Sequence, residues 1–217
     1  MLKARLAVIV PLVLLTLAAC AAPQSATPSV QATISTVTAR AVASPSPASC
    51  VLSPIVVPTR PAQTPKYTEL DPTTGLHMTG TPQEIDLASY RLKVTGKVDR
   101  PLSLSYDDLR CMPRIQTSDV LICPGYFEDV ANWAGASLAT VLDLAGAQAD
   151  AKSLTLVGAD GYSAFVTLQQ ARTGNNYLAY EWEGKPVPIL HGFPVRAVFP
   201  SLQGSTWVKW LIEIRVE

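Results

Sequence analysis

Only two histidines, His77 and His191, occur in 217 residues, so a multi-histidine metal site is ruled out. No Gly-rich phosphate loop precedes a helix, and neither H-E-x-x-H nor C-x-x-C occurs. The G-x-S-x-G elbow of many serine hydrolases is missing as well. There is no charge excess: 17 Lys and Arg face 17 Asp and Glu. That balance offers no electrostatic case for nucleic acid, an anionic membrane surface or a strongly charged partner. A nucleophile–base pair of Cys123 and His191 can be drawn, but no spacing in the chain brings the two together.

The apolar content, 48%, is inflated by the first residues. Lys3 and Arg5 form a positive n-region, and Leu6 to Leu17 an apolar run. That run is too short to cross a hydrocarbon layer needing about 20 residues. Leu17-Ala18-Ala19-Cys20 then resembles a bacterial lipobox, in which the cysteine takes a diacylglycerol and becomes the new N-terminus. The expectation is a signal peptide over residues 1–19, a lipidated Cys20 and an extracytoplasmic domain held to a bacterial membrane by its lipid. An ordinary signal peptide with an incidental cysteine is the plainer alternative.

Residues 20–66 are dominated by Ala, Pro, Ser, Thr and Val, with little charge. Prolines that fix φ and remove donors, as in Ala43-Ser44-Pro45-Ser46-Pro47, predict a disordered, semi-extended tether. The foldable part is then residues 67–217, a usual size for one domain with its own core. With Cys20 lipidated, three cysteines remain in a compartment that permits disulfides. Either Cys50 pairs with Cys111 and leaves Cys123 free, or Cys111 pairs with Cys123; spacing does not choose.

Within the domain, Tyr90 to Thr95 alternates as a half-buried strand does. Ser105, with Asp108 at the capping-box position, starts a short helix from Tyr106 to Cys111. Val120 to Cys123 predicts a buried strand, and Ser137 to Ala145 a helix that stops at Gly146. Leu154 to Val157 and Tyr162 to Leu168 predict strands joined by a turn at Ala159-Asp160-Gly161, and Tyr177 to Trp182 and Arg196 to Phe199 two more. Thr206 to Val216 alternates most cleanly, with Val208, Trp210, Ile212, Ile214 and Val216 on one face. The other face carries Trp207, Lys209, Leu211, Glu213 and Arg215. Strands outnumber short helices, so the class is α+β, predominantly β.

Two segments carry the chemistry. The first is Leu121-Ile-Cys123-Pro-Gly-Tyr126 followed by Asn132-Trp133-Ala-Gly135. The second is His191-Gly192-Phe-Pro194-Val-Arg196, a short loop, then Trp207-Val208-Lys209-Trp210-Leu211, with Asp160-Gly161-Tyr162 between the two segments. In this order they resemble the sulfite oxidase-type molybdopterin-dependent oxidoreductase domain, across roughly residues 81–217. The resemblance implies that Cys123 is the thiolate ligand of molybdenum, a soft donor suited to that metal. It further implies that His191, Arg196 and Lys209 bind the pterin and its phosphate, and that Asp160 and Tyr162 line the substrate side beside Cys123 as catalytic groups. Trp133 and Gly135 belong on this reading to packing and a turn.

The implied activity moves oxygen or electrons between a small-molecule substrate and a separate haem or quinone-linked protein. A cofactor-free ligand- or partner-binding lipoprotein of the same fold is the alternative. Two features bear on that choice. Fuller family members have an N-terminal segment that helps grip the pterin, and here Gly80-Thr81-Pro82-Gln83 stands in its approximate place. The leader reads Lys3-Ala4-Arg5 rather than the twin arginine expected of a protein exported with its cofactor loaded.

Overall fold

The computed structural model describes residues 50–217. The expected leader, Cys20 and most of the tether lie outside the described residues. Among the described residues ten strands and three short helices follow one another, in keeping with an α+β class dominated by β. One sheet is built from β1 (Leu92–Gly96), β2 (Leu102–Leu104), β5 (Ser153–Gly158), β6 (Ser163–Thr167) and β10 (Leu211–Val216), in the order β2-β1-β10-β5-β6. Only β1 and β10 run parallel in it. The other sheet has the antiparallel order β3 (Arg114–Cys123), β4 (Phe127–Ser137), β7 (Tyr177–Trp182), β8 (Lys185–Pro186), with β9 (Arg196–Val198) also pairing with β7.

Inward side chains of both sheets share one core: Leu92, Val94, Leu154, Leu156 and Ile214 from the first, Trp133, Ala136, Tyr177 and Leu178 from the second. Each large apolar side chain fully buried there contributes about 1.5–3 kcal/mol. The helix α1 (Tyr106–Arg110) starts at the expected capping box, Ser105 and Asp108 bonding each other's backbone. The helix α2 (Leu138–Ala145) is capped by Ser137 and stops where Gly146 takes a left-handed φ of 66°. A third helix, α3 (Leu168–Arg172), carries its own capping box, Thr167 with Gln170.

Four expectations change. The stretch from Val120 to Cys123 is a strand but not a buried one: Leu121 faces the core, whereas Val120 and Ile122 are exposed. Trp133 and Gly135 sit inside β4 rather than in a turn, and β4 runs straight into α2. The glycine is needed there for proximity, since a Cβ at 135 would lie 2.0 Å from the Leu178 carbonyl oxygen. The strand drawn from Thr206 begins only at Leu211, and Trp207 to Leu211 are all buried. Trp210 has φ +48°, a conformation that bulky residues rarely adopt, so the two-residue alternation fails and Lys209 is carried inward with its neighbours. A register shift between Leu211 and Glu213 moves Ile212 off the inner row.

The remaining change concerns residues 50–66, expected as the end of the tether. They have no regular structure, yet they are fastened to the domain. Cys50 is disulfide-bonded to Cys111, Arg110 donates to the Ser53 carbonyl at 2.7 Å, and Ile55 packs on the core. That pairing leaves Cys123 free. Among the described residues no helix is long and apolar enough to cross a membrane.

Candidate active site

A cavity of about 370 Å³ opens where the two sheets meet, and Cys123, Asp160, Tyr162, His191, Arg196 and Lys209 all line it. Different elements deliver them. Cys123 is the last residue of β3, paired with Phe127 across the hairpin. Asp160 and Tyr162 come from the β5–β6 turn, where Asp160 accepts the Tyr162 amide at 3.1 Å. The Tyr162 hydroxyl donates to the Ser205 carbonyl at 2.8 Å and stays half exposed at the rim. His191 ends a 3-10 turn (Ile189–His191), Arg196 opens β9, and Lys209 lies on the buried approach to β10.

Arg196 and Lys209 are the unusual pair, being 2% and 9% exposed. Among the described residues neither has a carboxylate partner within ion-pair distance. Arg196 donates to the His191 carbonyl at 3.2 Å and the Trp207 carbonyl at 3.4 Å, while its Nε has no hydrogen-bond partner among the described residues. Its guanidinium lies between the rings of Trp133 (4.6 Å) and Trp207 (5.7 Å), so Trp133 serves the site as well as the core. Lys209 Nζ donates to Thr79 and Leu190 carbonyls at 2.9 and 3.3 Å. Burial lowers Arg196 to a pKa of about 10. Burial, and then the positive Arg196, lower Lys209 to about 7.

Holding two buried cations without a counter-ion costs several kcal/mol per ion. An orphaned guanidinium nitrogen beside them marks the place of an anion with more than one acceptor oxygen, as a phosphate has. The free thiol on the same cavity adds a soft donor. Burial raises the Cys123 pKa and Asp129 raises it further, whereas Lys209 and Arg196 pull it down. A bound metal cation would complete the deprotonation. The residues present therefore fit a phosphate-bearing cofactor with a thiophilic metal.

His191 is 1% exposed, and burial, with Lys209 adding to it, lowers its pKa to about 3. The neutral ring holds its Nε2 3.0 Å from Asp71 Oδ2 and 3.0 Å from Thr74 Oγ1. Burial would raise the pKa of Asp71, but hydrogen bonds from Thr73, His191 and Thr74 outweigh it and lower the value. This contact pins the segment 67–80 over the site, helped by a small cluster of Met78, Leu190 and Trp210. The chain before Gly80 thus supplies Tyr67, Leu76, His77 and Thr79 to the cavity wall, a contribution not visible in the sequence. Also missed was the His77–Asp129 pair, with Nδ1 and Oδ1 2.6 Å apart. Those partners are 52 positions apart and share no motif.

Comparisons with known proteins point to one family. The family model described as "oxidoreductase molybdopterin binding domain" matches residues 77–217. The uncharacterized oxidoreductase YuiH of Bacillus subtilis (strain 168) is 31% identical over 137 residues, covering 63% of this chain and 69% of that protein. Human mitochondrial sulfite oxidase is 33% identical over 170 residues, 61% of this chain but 30% of its own length. A putative protein-methionine-sulfoxide reductase subunit, YedZ1 of Azospira oryzae, is 30% identical over 129 residues, 59% of this chain and 49% of that protein. Among solved structures, the sulfane dehydrogenase SoxCD of Paracoccus pantotrophus shares the fold, with a TM-score of 0.59 at 23% identity over 71% of this chain and 50% of that one.

Proposed function

The chain belongs to the oxidoreductase molybdopterin-binding domain family, and on that footing we propose that it is a lipid-anchored extracytoplasmic enzyme moving oxygen or electrons between a small substrate and a separate redox partner. Its class is that of a molybdopterin-dependent oxidoreductase. The observation that carries the reading is the convergence of two buried, unpaired cations and one free thiol on a single cavity. A cofactor-free module that binds an anion would account for Arg196 and Lys209 but leave the free thiol of Cys123 on the same cavity without a role.

Cys123 is the residue that would ligate molybdenum, and Arg196 and Lys209 those that would hold the phosphate, with His191 beside them. When bound, the cofactor supplies a centre able to exchange an oxygen atom and two electrons. The protein orients it. The rings of Trp133 and Trp207 pack on the Arg196 guanidinium, and the Thr79 and Leu190 carbonyls hold Lys209. Tyr162 and Asp160, on the β5–β6 turn, would line the substrate side, and the segment 67–80 supplies part of the cavity wall. Sulfite and protein methionine sulfoxide stand in the names of two relatives, which supports a sulfur-centred substrate. A haem or quinone-linked protein would take or supply the electrons. Cys20 and the charged-then-apolar leader support the location.

The test is molybdenum per chain in protein purified from a cofactor-competent host. A stoichiometric signal, lost in Cys123→Ser and kept in Cys50→Ser, is expected. No metal in the wild type, from a host whose other molybdoenzymes are loaded, refutes the cofactor assignment. The anchor is checked separately, since Cys20→Ser should move the protein from the membrane to the soluble fraction.

A further inference from the structure

His77 is held unusually firmly for a cavity-wall histidine. Its backbone N–H donates to Asp129 Oδ2 at 2.9 Å, and its ring Nδ1 lies 2.6 Å from Asp129 Oδ1. One face of the ring stacks on Phe127, with centroids 4.4 Å apart and planes 11° from parallel. Asp129 is buried, whereas the His77 side chain is 23% exposed. The carboxylate fixes a proton on Nδ1, so Nε2 is a lone pair in the neutral ring and a donor in the charged one. Among the described residues Nε2 has no hydrogen-bond partner, and the ring forms part of the cavity wall.

The reaction class proposed above has a proton requirement. Substrate and water give oxidised substrate, two protons and two electrons, or the reverse. The electrons pass to or from the haem or quinone-linked carrier, and the protons must cross the cavity. The other titratable groups around it are committed. On the proposed function Cys123 would ligate the metal, while Arg196 and Lys209 donate to backbone carbonyls and would hold the phosphate. His191 is bonded to Asp71 and too weakly basic. Tyr162 donates to Ser205, and burial raises its pKa; Asp160 is tied to the Tyr162 amide. Tyr67 and Tyr126 stand at the exposed rim.

We propose that His77, oriented by Asp129, is the residue that carries a proton between the water or substrate oxygen in this cavity and bulk solvent. In the oxidative direction Nε2 takes a proton from the attacking water and releases it outside; in the reductive direction it delivers one to the departing oxygen. Asp129 is a positioning residue that keeps Nε2 turned inward. The assignment rests on the molybdopterin reading.

The experiment follows proton uptake with a pH-indicator dye in stopped flow as the loaded full-length protein is reduced chemically, with molybdenum per chain measured on every sample. His77→Ala and the more conservative His77→Gln should load molybdenum normally and take up the proton at least about tenfold more slowly than the wild type. Asp129→Asn should also slow uptake, because the carboxylate that orients the ring is gone. Added imidazole should restore the rate in His77→Ala and leave His77→Gln unchanged. Uptake at the wild-type rate in both fully loaded His77 variants overturns the role of His77. A wild type without molybdenum overturns the parent reading and this one with it.

Discussion

Lys209 allows the central electrostatic argument to be measured without any cofactor. Its pKa falls from 10.5 to about 7 in the folded protein. A base whose folded pKa is depressed binds fewer protons folded than unfolded between those values, so stability must rise with pH across that window. The penalty is fully present below about pH 7 and fades as pH approaches the unfolded value. At 1.36 kcal/mol per unit, raising the pH from about 6.5 to about 9.5 should return about 3 kcal/mol to the wild type. Lys209→Met keeps an apolar stem but has nothing to titrate. It also strips the donor from the Thr79 and Leu190 carbonyls, a cost of about 1–3 kcal/mol that does not change with pH. The absolute effect at one pH therefore mixes two opposing terms, whereas the difference between the two proteins as pH changes isolates the lysine. Groups that do not feel Lys209 cancel in that difference, and the loss of its smaller pull on Cys123 is a secondary contribution. Urea unfolding of both proteins, made in a cofactor-deficient host with the Cys50–Cys111 bond intact, gives the numbers. A wild-type-minus-variant gap that stays level from about pH 6.5 to about pH 9.5 refutes the claim that the site holds a penalised cation.

Two further outcomes follow from the same geometry. Cys50→Ser opens a bond spanning 61 residues, which should lower stability by about 4 kcal/mol in urea unfolding, and an unchanged midpoint would mean that residues 50–66 do not restrain the unfolded chain. Gly204→Ala would place a Cβ 2.7 Å from Cys123 Sγ and 2.7 Å from Leu121 Cδ2; it should displace the thiol, cost about 1–3 kcal/mol and cut bound molybdenum, so full loading would refute a precise thiol position.

How much of this was legible depended on the distance over which a residue's partner lies. The helix ends at Ser105 and Gly146 were readable because a cap is satisfied within four residues. Cys123, Asp160, Tyr162, His191, Arg196 and Lys209 were found through the order of short motifs, and all six do line one cavity. Their partners were not found. Asp71 and His191 are 120 positions apart, and Lys209 and the Thr79 carbonyl 130. Such pairings appear only when the two sheets close and the segment 67–80 is laid across them.

The misread strand start at Thr206 has a related cause. Alternation along Trp207 to Leu211 is real in the sequence, but it predicts opposite faces only while every φ stays in the extended region. Trp210 leaves that region, and what compensates is tertiary: its indole N–H donates to the Ile189 carbonyl at 2.7 Å, and its ring is wholly buried against Met78 and Leu190. The same turn of the backbone brings Lys209 into the cavity. A local departure from strand geometry, held in place by contacts from distant segments, is thus what converts a lysine that the pattern would leave on a sheet face into one of the two cations on which the site depends.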